Sequence, residues 1–178
     1  MLLDNGSNNN FTGILINSGT LQVGNGDTKG SLGTASVTDH GALTFNRTDT
    51  FNLGNLVSGL GGVVQNGSGT LALSAANIYL GNTMVNAGTL ALVGAGSISG
   101  STLIAISNGA TLSVTGRVDQ TLTLGNGQTL KGSGTVNGNL TAQVGLIVSP
   151  GDAIGILSVQ SNIVLNGSLV MELNRTNV

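Results

Sequence analysis

The side chains that could perform acid–base chemistry are few and lie far apart along the sequence. The one histidine, His40, follows Asp39, and a Ser–His–Asp hydrolase would need a serine folded against this pair. The chain contains no Gly-x-Ser-x-Gly nucleophile motif, and residues 38–41 have the composition of a turn. We therefore interpret Asp39 and His40 as turn residues.

A polysaccharide-cleaving site would require two carboxylates at a defined separation, or a carboxylate beside a basic group. The nearest grouping of this kind is formed by Asp39, Arg47 and Asp49. The acidic residues are dispersed along the whole chain: Asp4, Asp27, Asp39, Asp49, Asp119, Asp152 and Glu172. Most of them lie in turn-like sequence, where an Asp side chain commonly bonds nearby backbone. The sequence predicts no catalytic residue, and we expect no enzyme activity.

Two kinds of ligand motif are also absent. Residues 24–27 read Gly-Asn-Gly-Asp, which is a single partial match to the Gly-Gly-x-Gly-x-Asp nonapeptide. That nonapeptide must recur along the chain to build a calcium-binding ladder. No Gly-x-Gly-x-x-Gly or Walker string is present. The sequence therefore predicts no metal ligand, no cofactor-binding residue and no cofactor.

Composition narrows the classes of partner. Charged residues make up 7% of the 178 residues, against about 25% in ordinary soluble domains, and the net charge is −2. The five basic residues are scattered, so no patch exists that could neutralise nucleic-acid phosphates. No apolar run reaches the roughly 18 residues of a membrane span. We expect neither nucleic-acid binding nor membrane insertion, and the absence of cysteine excludes disulfides.

One pattern recurs along the chain: a turn, a glycine, and a short strand that alternates apolar with small polar residues. Its best copies begin at Gly19, Gly41, Gly69, Gly88, Ala110, Gly155 and Gly167. The spacing is loose, near 20 residues, which is typical of a solenoid with one or more strands per coil. A solenoid coil cannot bury its apolar face alone, so each coil must pack on its neighbours.

The repeat predicts what faces inward and outward. Leu21, Leu43, Leu71, Leu90, Leu112 and Leu130 are expected to stack as one interior ladder. Outward Thr, Ser and Asn are expected to form polar ladders along the flanks. Frequent Asn-Gly pairs would also suit two-residue hairpins, so an antiparallel sandwich or barrel is the alternative fold. Hairpin strands would recur every 8–12 residues or so, and the longer spacing favours the parallel solenoid.

The segment from Asn77 to Leu92, with Asn-Ala-Gly-Thr-Leu near its end, resembles the passenger-associated repeat of bacterial autotransporters. Asn10 to Leu21 is a shorter version of the same pattern, and Ser149–Asp152 is similar to the segment that often closes such a run. The resemblance implies a right-handed parallel β-helix. It also implies export through an outer-membrane pore and display at, or release from, the bacterial surface. The family repeat is structural, so it transfers no catalytic residue.

From these observations we expect an all-β protein, a right-handed parallel β-helix of about 8 to 9 coils. Residues 1–178 are expected to form a single β-solenoid domain, as a fragment of a longer passenger or as a stacking subunit. The predicted function is a structural, adhesin-type surface passenger segment without catalysis. The alternatives are a subunit of a self-assembling extracellular filament and a polysaccharide-active enzyme. Neighbouring coils of the same or identical chains are the expected partners, and the sequence identifies no host or matrix ligand.

Overall fold

The computed structural model describes residues 1–6, 9–125, 127–151 and 155–170. These ranges contain 21 short strands, numbered here along the chain, and no helix. Every strand pairing among them is parallel, and an isolated antiparallel bridge joins Gly132 to Gly151. The chain is thus a parallel β-solenoid of about eight turns, as the repeat spacing predicts, and the antiparallel alternative is wrong.

Two sheets run along the solenoid. Sheet 1 contains nine strands in the order β1 (Leu2–Leu3), β3 (Thr20–Asp27), β5 (Ala42–Arg47), β8 (Gly62–Gln65), β10 (Thr83–Val85), β12 (Leu103–Ile106), β15 (Thr129–Gly132), β18 (Ile147–Pro150) and β21 (Ser168–Leu169). Sheet 2 contains six strands in the order β6 (Thr50–Leu53), β9 (Thr70–Leu73), β11 (Thr89–Gly94), β13 (Thr111–Arg117), β16 (Thr135–Asn137) and β19 (Ser158–Val159). Sheet 2 therefore begins two coils later than sheet 1.

The remaining face is interrupted. Sheet 3 comprises β2 (Ile14–Ile16), β4 (Val37–Asp39) and β7 (Val57–Ser58). Sheet 4 comprises β14 (Thr121–Leu124), β17 (Asn139–Ala142) and β20 (Ile163–Leu165). Between these two sheets the coils cross the face as loops, which the bridge between Ala76 and Ser97 joins to each other. The backbone nitrogen of Ile78 donates to the carbonyl of Val57 at 3.0 Å, so the coils stay in register across the interruption.

The glycine of the recurring Gly-Thr-Leu pattern is explained by how closely the coils approach each other at that corner. A Cβ on Gly69 would lie 2.1 Å from the carbonyl oxygen of Asp49, and one on Gly88 would lie 2.3 Å from that of Gly69. Neither contact can be accommodated by side-chain movement, since the atoms belong to backbone. Gly88 also has a φ of +58°, which glycine adopts more readily than other residues.

The core is formed by the inward residues of the strands, continuous from Leu3 to Val148. Leu71, Leu90 and Leu112 are fully buried and occupy one register column of sheet 2, so their predicted stacking is confirmed. The outward column beside them is a threonine ladder, as predicted for the flanks: Thr50, Thr70, Thr89, Thr111 and Thr135.

The prediction of a single leucine ladder is wrong. Leu21 pairs with Leu43 in sheet 1, and Leu130 lies farther along the same column of that sheet. The other three leucines of the predicted ladder lie in sheet 2 instead. Every coil has a strand in sheet 1, most also have one in sheet 2, and both strands alternate inward and outward with a period of two. The same local pattern therefore appears on two faces, and the leucines divide between them.

Candidate functional site

Asp39, the acidic residue closest to histidine, lies at the end of β4 with none of its surface exposed. Its Oδ1 accepts a hydrogen bond from the Gly41 nitrogen at 2.9 Å, while Oδ2 has no partner within the described residues. Gly61 closes over the carboxyl group, and a Cβ there would lie 2.4 Å from it. Burial raises the pKa of Asp39, and the Gly41 amide and His40 oppose the increase. The carboxyl is enclosed by the next coil rather than open to a substrate.

His40 points out of the solenoid and braces two consecutive coils. Its Nδ1 accepts a hydrogen bond from the backbone nitrogen of Leu60 at 3.3 Å. When Nδ1 accepts, the neutral ring carries its proton on Nε2, so neither nitrogen is available as a general base for a serine hydroxyl. Asp39 is the last residue of β4 and His40 forms the bend that follows it, so the interpretation of both as turn residues is correct only for His40.

Arg47 and Asp49 do come together, but Asp39 lies at the opposite end of β5. The Arg47 guanidinium binds the Asp49 carboxylate through two bonds, Nε to Oδ1 at 2.9 Å and Nη2 to Oδ2 at 2.8 Å. Its other donors reach the preceding coil, where they bond the carbonyls of Thr28, Lys29 and Gly30. All five N–H groups of a guanidinium are thereby used. The grouping clamps one coil onto the next and leaves no donor for a ligand.

A second clamp of the same design lies further along, and the sequence reasoning did not identify it. Arg117 bonds Asp119 through Nε at 3.0 Å and donates to the carbonyl of Gly96 in the preceding coil. The hydrogen bond from Arg117 is the largest cause of a lowered pKa at Asp119. The shared signal is an Arg-x-Asp triplet whose arginine is the last residue of a long strand, at residues 47–49 and 117–119.

A buried string of hydrogen-bonded hydroxyl groups was also not predicted from the sequence. Tyr79 is enclosed in the core, and its hydroxyl lies 2.7 Å from Thr83 Oγ1, which donates to Ser101 Oγ at 2.9 Å. Ser101 then donates to the carbonyl of Leu103 at 3.1 Å. Burial strongly raises the pKa of Tyr79, so the phenol stays protonated at neutral pH. The string satisfies buried polar groups and has no opening to solvent.

The described residues contain no group of three or more His, Cys, Asp or Glu side chains that could hold a metal ion. Asp27, in the isolated calcium-like motif, accepts a hydrogen bond from the Lys29 backbone nitrogen at 2.9 Å and pairs with the Lys29 ammonium at 3.5 Å. That backbone bond is the main reason for its lowered pKa. Asp152, Glu172 and Arg175 lie outside the described residues. No helix in the described ranges is long and apolar enough to cross a membrane.

A concave surface lies where sheet 2 has not yet begun. Residues 28–36 cross this face as a loop, so two adjoining cavities form above the first strand, β6. Their volumes are about 310 and about 330 Å³, and both are lined by Ser31 and by the half-buried ring of Phe51. We call this surface the Phe51 groove, defined by Asn9, Asn10, Ser31, Thr34, Phe51 and Asn52.

Comparison with known proteins agrees with the fold. The passenger-associated-transport-repeat family matches residues 2–23 and 63–92. These segments include coils whose glycine and leucine positions were described above. The matched repeats and the parallel solenoid together make the chain similar to the passenger domains of autotransporters.

A particular relative is the adhesin BmaC autotransporter of Brucella suis biovar 1 (strain 1330). This chain is 40% identical to it over 111 residues, which are 62% of this chain. The match spans only 3% of that protein, so the chain corresponds to a small part of the relative's length. No solved structure matches the chain.

Proposed function

We propose that this chain is a structural segment of an adhesin-type autotransporter passenger, exported across the outer membrane and displayed at the bacterial surface or released from it. The observation that carries the proposal is that the matched repeats are themselves the coils of the solenoid. Residues 63–92 contain β9, β10 and most of β8 and β11, which pair with the coils before and after them. The repeat therefore contributes a stackable unit rather than a site.

The dimensions suit a stalk. Equivalent strands of successive coils lie about 4.8 Å apart, so about eight turns extend roughly 40 Å along the solenoid axis. Charged residues make up only 7% of the chain. Such a rod can hold an attached region roughly 40 Å away from the membrane.

A role without catalysis is supported by what the ionisable groups do. Arg47 and Arg117 are engaged in coil-to-coil clamps, and Asp39 is enclosed beneath Gly61. Purified protein is accordingly expected to cleave neither glycans nor peptides. Reproducible turnover that Asp39→Asn or His40→Ala abolishes would contradict this part of the proposal.

The partners we propose for the structural role are neighbouring coils, either of the same polypeptide or of identical chains. Each described coil already joins the next through parallel backbone pairing, and this chemistry is independent of side-chain identity. The same pairing could extend the rod in a longer passenger or in a filament.

The test is surface display of the intact passenger in its source bacterium. Antibodies raised against the purified chain should label unbroken cells or the culture medium, and added protease should remove the cell-bound signal. Leu112→Asp, which places a charge in the buried column, should abolish folded display. The matched control is Val118→Asp, because Val118 is 99% exposed on the following turn. Signal confined to the cell interior, or equal display of both variants, would refute the proposal.

A further inference from the structure

We propose that Asn108 is a site of spontaneous chemical modification, at which the backbone amide of Gly109 converts the side-chain amide into aspartate and isoaspartate. The modification consumes water and needs no enzyme. It is a property of the folded chain and does not depend on the role proposed above. Three features support it: the exposure of this Asn-Gly pair, its free amide groups, and the protection of a second pair by the fold.

The reaction has two balanced steps. In the first, the Gly109 nitrogen loses its proton and attacks Cγ of Asn108, a C–N bond forms, and the side-chain nitrogen leaves as ammonia. The product is a succinimide ring. In the second step, water breaks one of the two C–N bonds of the ring. Cleavage at the side-chain carbonyl gives aspartate, and cleavage at the backbone carbonyl gives isoaspartate, so each event replaces one neutral amide with one carboxylate.

Asn108 and Gly109 lie in a turn that is longer than the turns on either side of it. Residues 107–110 connect β12 to β13, and strand register aligns them with residues 86–88 of the preceding coil and 133–134 of the following coil. Both Asn108 and Gly109 are exposed, and a Cβ built on Gly109 would meet no atom within 4 Å. Water and hydroxide therefore reach this peptide from solvent.

The two reacting groups of this pair are free. Within the described residues, no hydrogen bond involves the Asn108 side chain or the Gly109 backbone nitrogen. The turn closes instead through the Ala110 nitrogen, which donates to the Ser107 carbonyl at 3.0 Å. Gly109 has a φ of +78°, a value that glycine supplies in tight turns. Since no hydrogen bond holds the attacking amide, the reaction does not require local unfolding first.

Asn66 and Gly67 form a matched pair in which the fold opposes the same reaction. Gly67 is buried, and its nitrogen donates to the Phe45 carbonyl at 3.1 Å. The Asn66 side-chain oxygen accepts a hydrogen bond from the Asn86 amide at 2.7 Å. A Cβ on Gly67 would lie 2.1 Å from the Arg47 carbonyl oxygen, so the preceding coil lies directly against this peptide. The Gly67 nitrogen can attack only after these contacts open.

The other described Asn-Gly pairs are each restrained. The Asn5 side chain exchanges two hydrogen bonds with a neighbouring asparagine, at 2.9 and 3.2 Å. Asn25 and Asn137 belong to β3 and β16, where pairing with neighbouring strands restricts the backbone. Gly167 is half-buried against the preceding coil. Asn108 is therefore expected to react fastest among the described pairs.

The experiment incubates the purified chain at mildly alkaline pH, which deprotonates more of the attacking amide, and follows each pair by peptide mass spectrometry. Chromatography separates the aspartate and isoaspartate products from unreacted peptide. Asn108 is expected to convert at least about tenfold faster than Asn66, because the Gly67 amide reacts only after local opening. Ion exchange should resolve a product with one negative charge more than the formal −2 of the parent chain.

Incubation in denaturing urea is the control for sequence context. Without the fold, Asn108 and Asn66 should convert at similar rates, since both are followed by glycine and neither amide is protected. Asn108→Ser removes the reacting side chain and should abolish the main charge change. Asn66→Ser, in the corresponding turn of an earlier coil, is the matched variant and should leave that change intact. Melting temperatures confirm that both variants are folded.

Three outcomes would overturn the proposal. The first is conversion of Asn66 in the folded chain as fast as that of Asn108, and the second is persistence of the main charge change in Asn108→Ser. The third is an equal rate difference in urea, which would assign the order to sequence context rather than to the fold. The first and third are measured on the unsubstituted chain, so they remain decisive if a variant fails to fold.

Discussion

Replacing Leu90 with alanine tests the solenoid core at its centre. Leu90 lies in β11, is 0% exposed, and stacks between Leu71 of the preceding coil and Leu112 of the following coil. The substitution removes three carbon atoms from a column in which each member contacts the one above and below. The coils are held at a fixed spacing by backbone pairing, so the neighbouring leucines cannot move inward to fill the gap.

The expected loss follows from these contacts. Transfer of three buried carbon groups to water accounts for about 2.4 kcal/mol at about 0.8 kcal/mol each. The unfilled cavity adds to this, which places the total at about 3–4 kcal/mol, within the range of buried Leu→Ala substitutions. Relaxation of the structure would lower the figure, and the rigid coil spacing argues against much relaxation.

The assay is urea unfolding followed by far-UV circular dichroism, comparing midpoints at equal slope. Val118→Ala is the control, because Val118 is 99% exposed, and it should change the free energy of unfolding by less than about 0.5 kcal/mol. A loss below about 1 kcal/mol for Leu90→Ala would show that the residue is not in a packed column and would refute the register of sheet 2.

Other predictions concern charge and association. Arg47→Lys should lower the free energy of unfolding by about 1–3 kcal/mol, because lysine cannot reproduce the bonds to Asp49 and three carbonyls; Arg117→Lys, whose site is more exposed, should lose less in the same urea assay. The raised pKa of Asp39 favours the protonated carboxyl in the folded state, so its contribution to stability is present below the ordinary aspartate pKa, about 3.9, and is lost as the pH rises through the raised value. Asp39→Asn should therefore flatten the fall in stability above about pH 4, and an unchanged pH profile of urea midpoints would contradict this. The isolated chain should associate through its terminal coils into short, salt-resistant rods, because their strand edges can pair; a strictly monomeric species in sedimentation and electron microscopy would refute that expectation.

Much of the architecture could be predicted from local sequence. A strand that returns every 20 residues or so, with glycine before it and alternating residues within it, specifies a stackable coil. The alternation also identified Leu71, Leu90 and Leu112 as buried, because a period of two assigns each residue to one face of its own strand. The sequence also lacks a nucleophile motif and disperses its acidic residues, a pattern that predicts no active site.

Other features depend on which coil lies against which, and no local pattern carries that information. The pattern around Leu43 and the pattern around Leu71 look alike, yet they belong to different sheets, since both faces of a coil need the same alternation. The arginine clamps also depend on how the coils stack. Arg47 donates to carbonyls about 18 residues earlier in the chain only because the two coils lie against each other.

The Phe51 groove shows most clearly which features depend on local sequence and which depend on tertiary structure. The sequence by itself determined that the chain stacks in parallel coils, because hydrophobic periodicity is a property of each strand. Only the tertiary structure decided that sheet 2 begins two coils after sheet 1, because that depends on how loops of unequal length are accommodated between strands whose spacing is fixed by backbone hydrogen bonds. The ring of Phe51 and the amide of Asn52 share a depression for that reason, although their sequence context reads as one more strand.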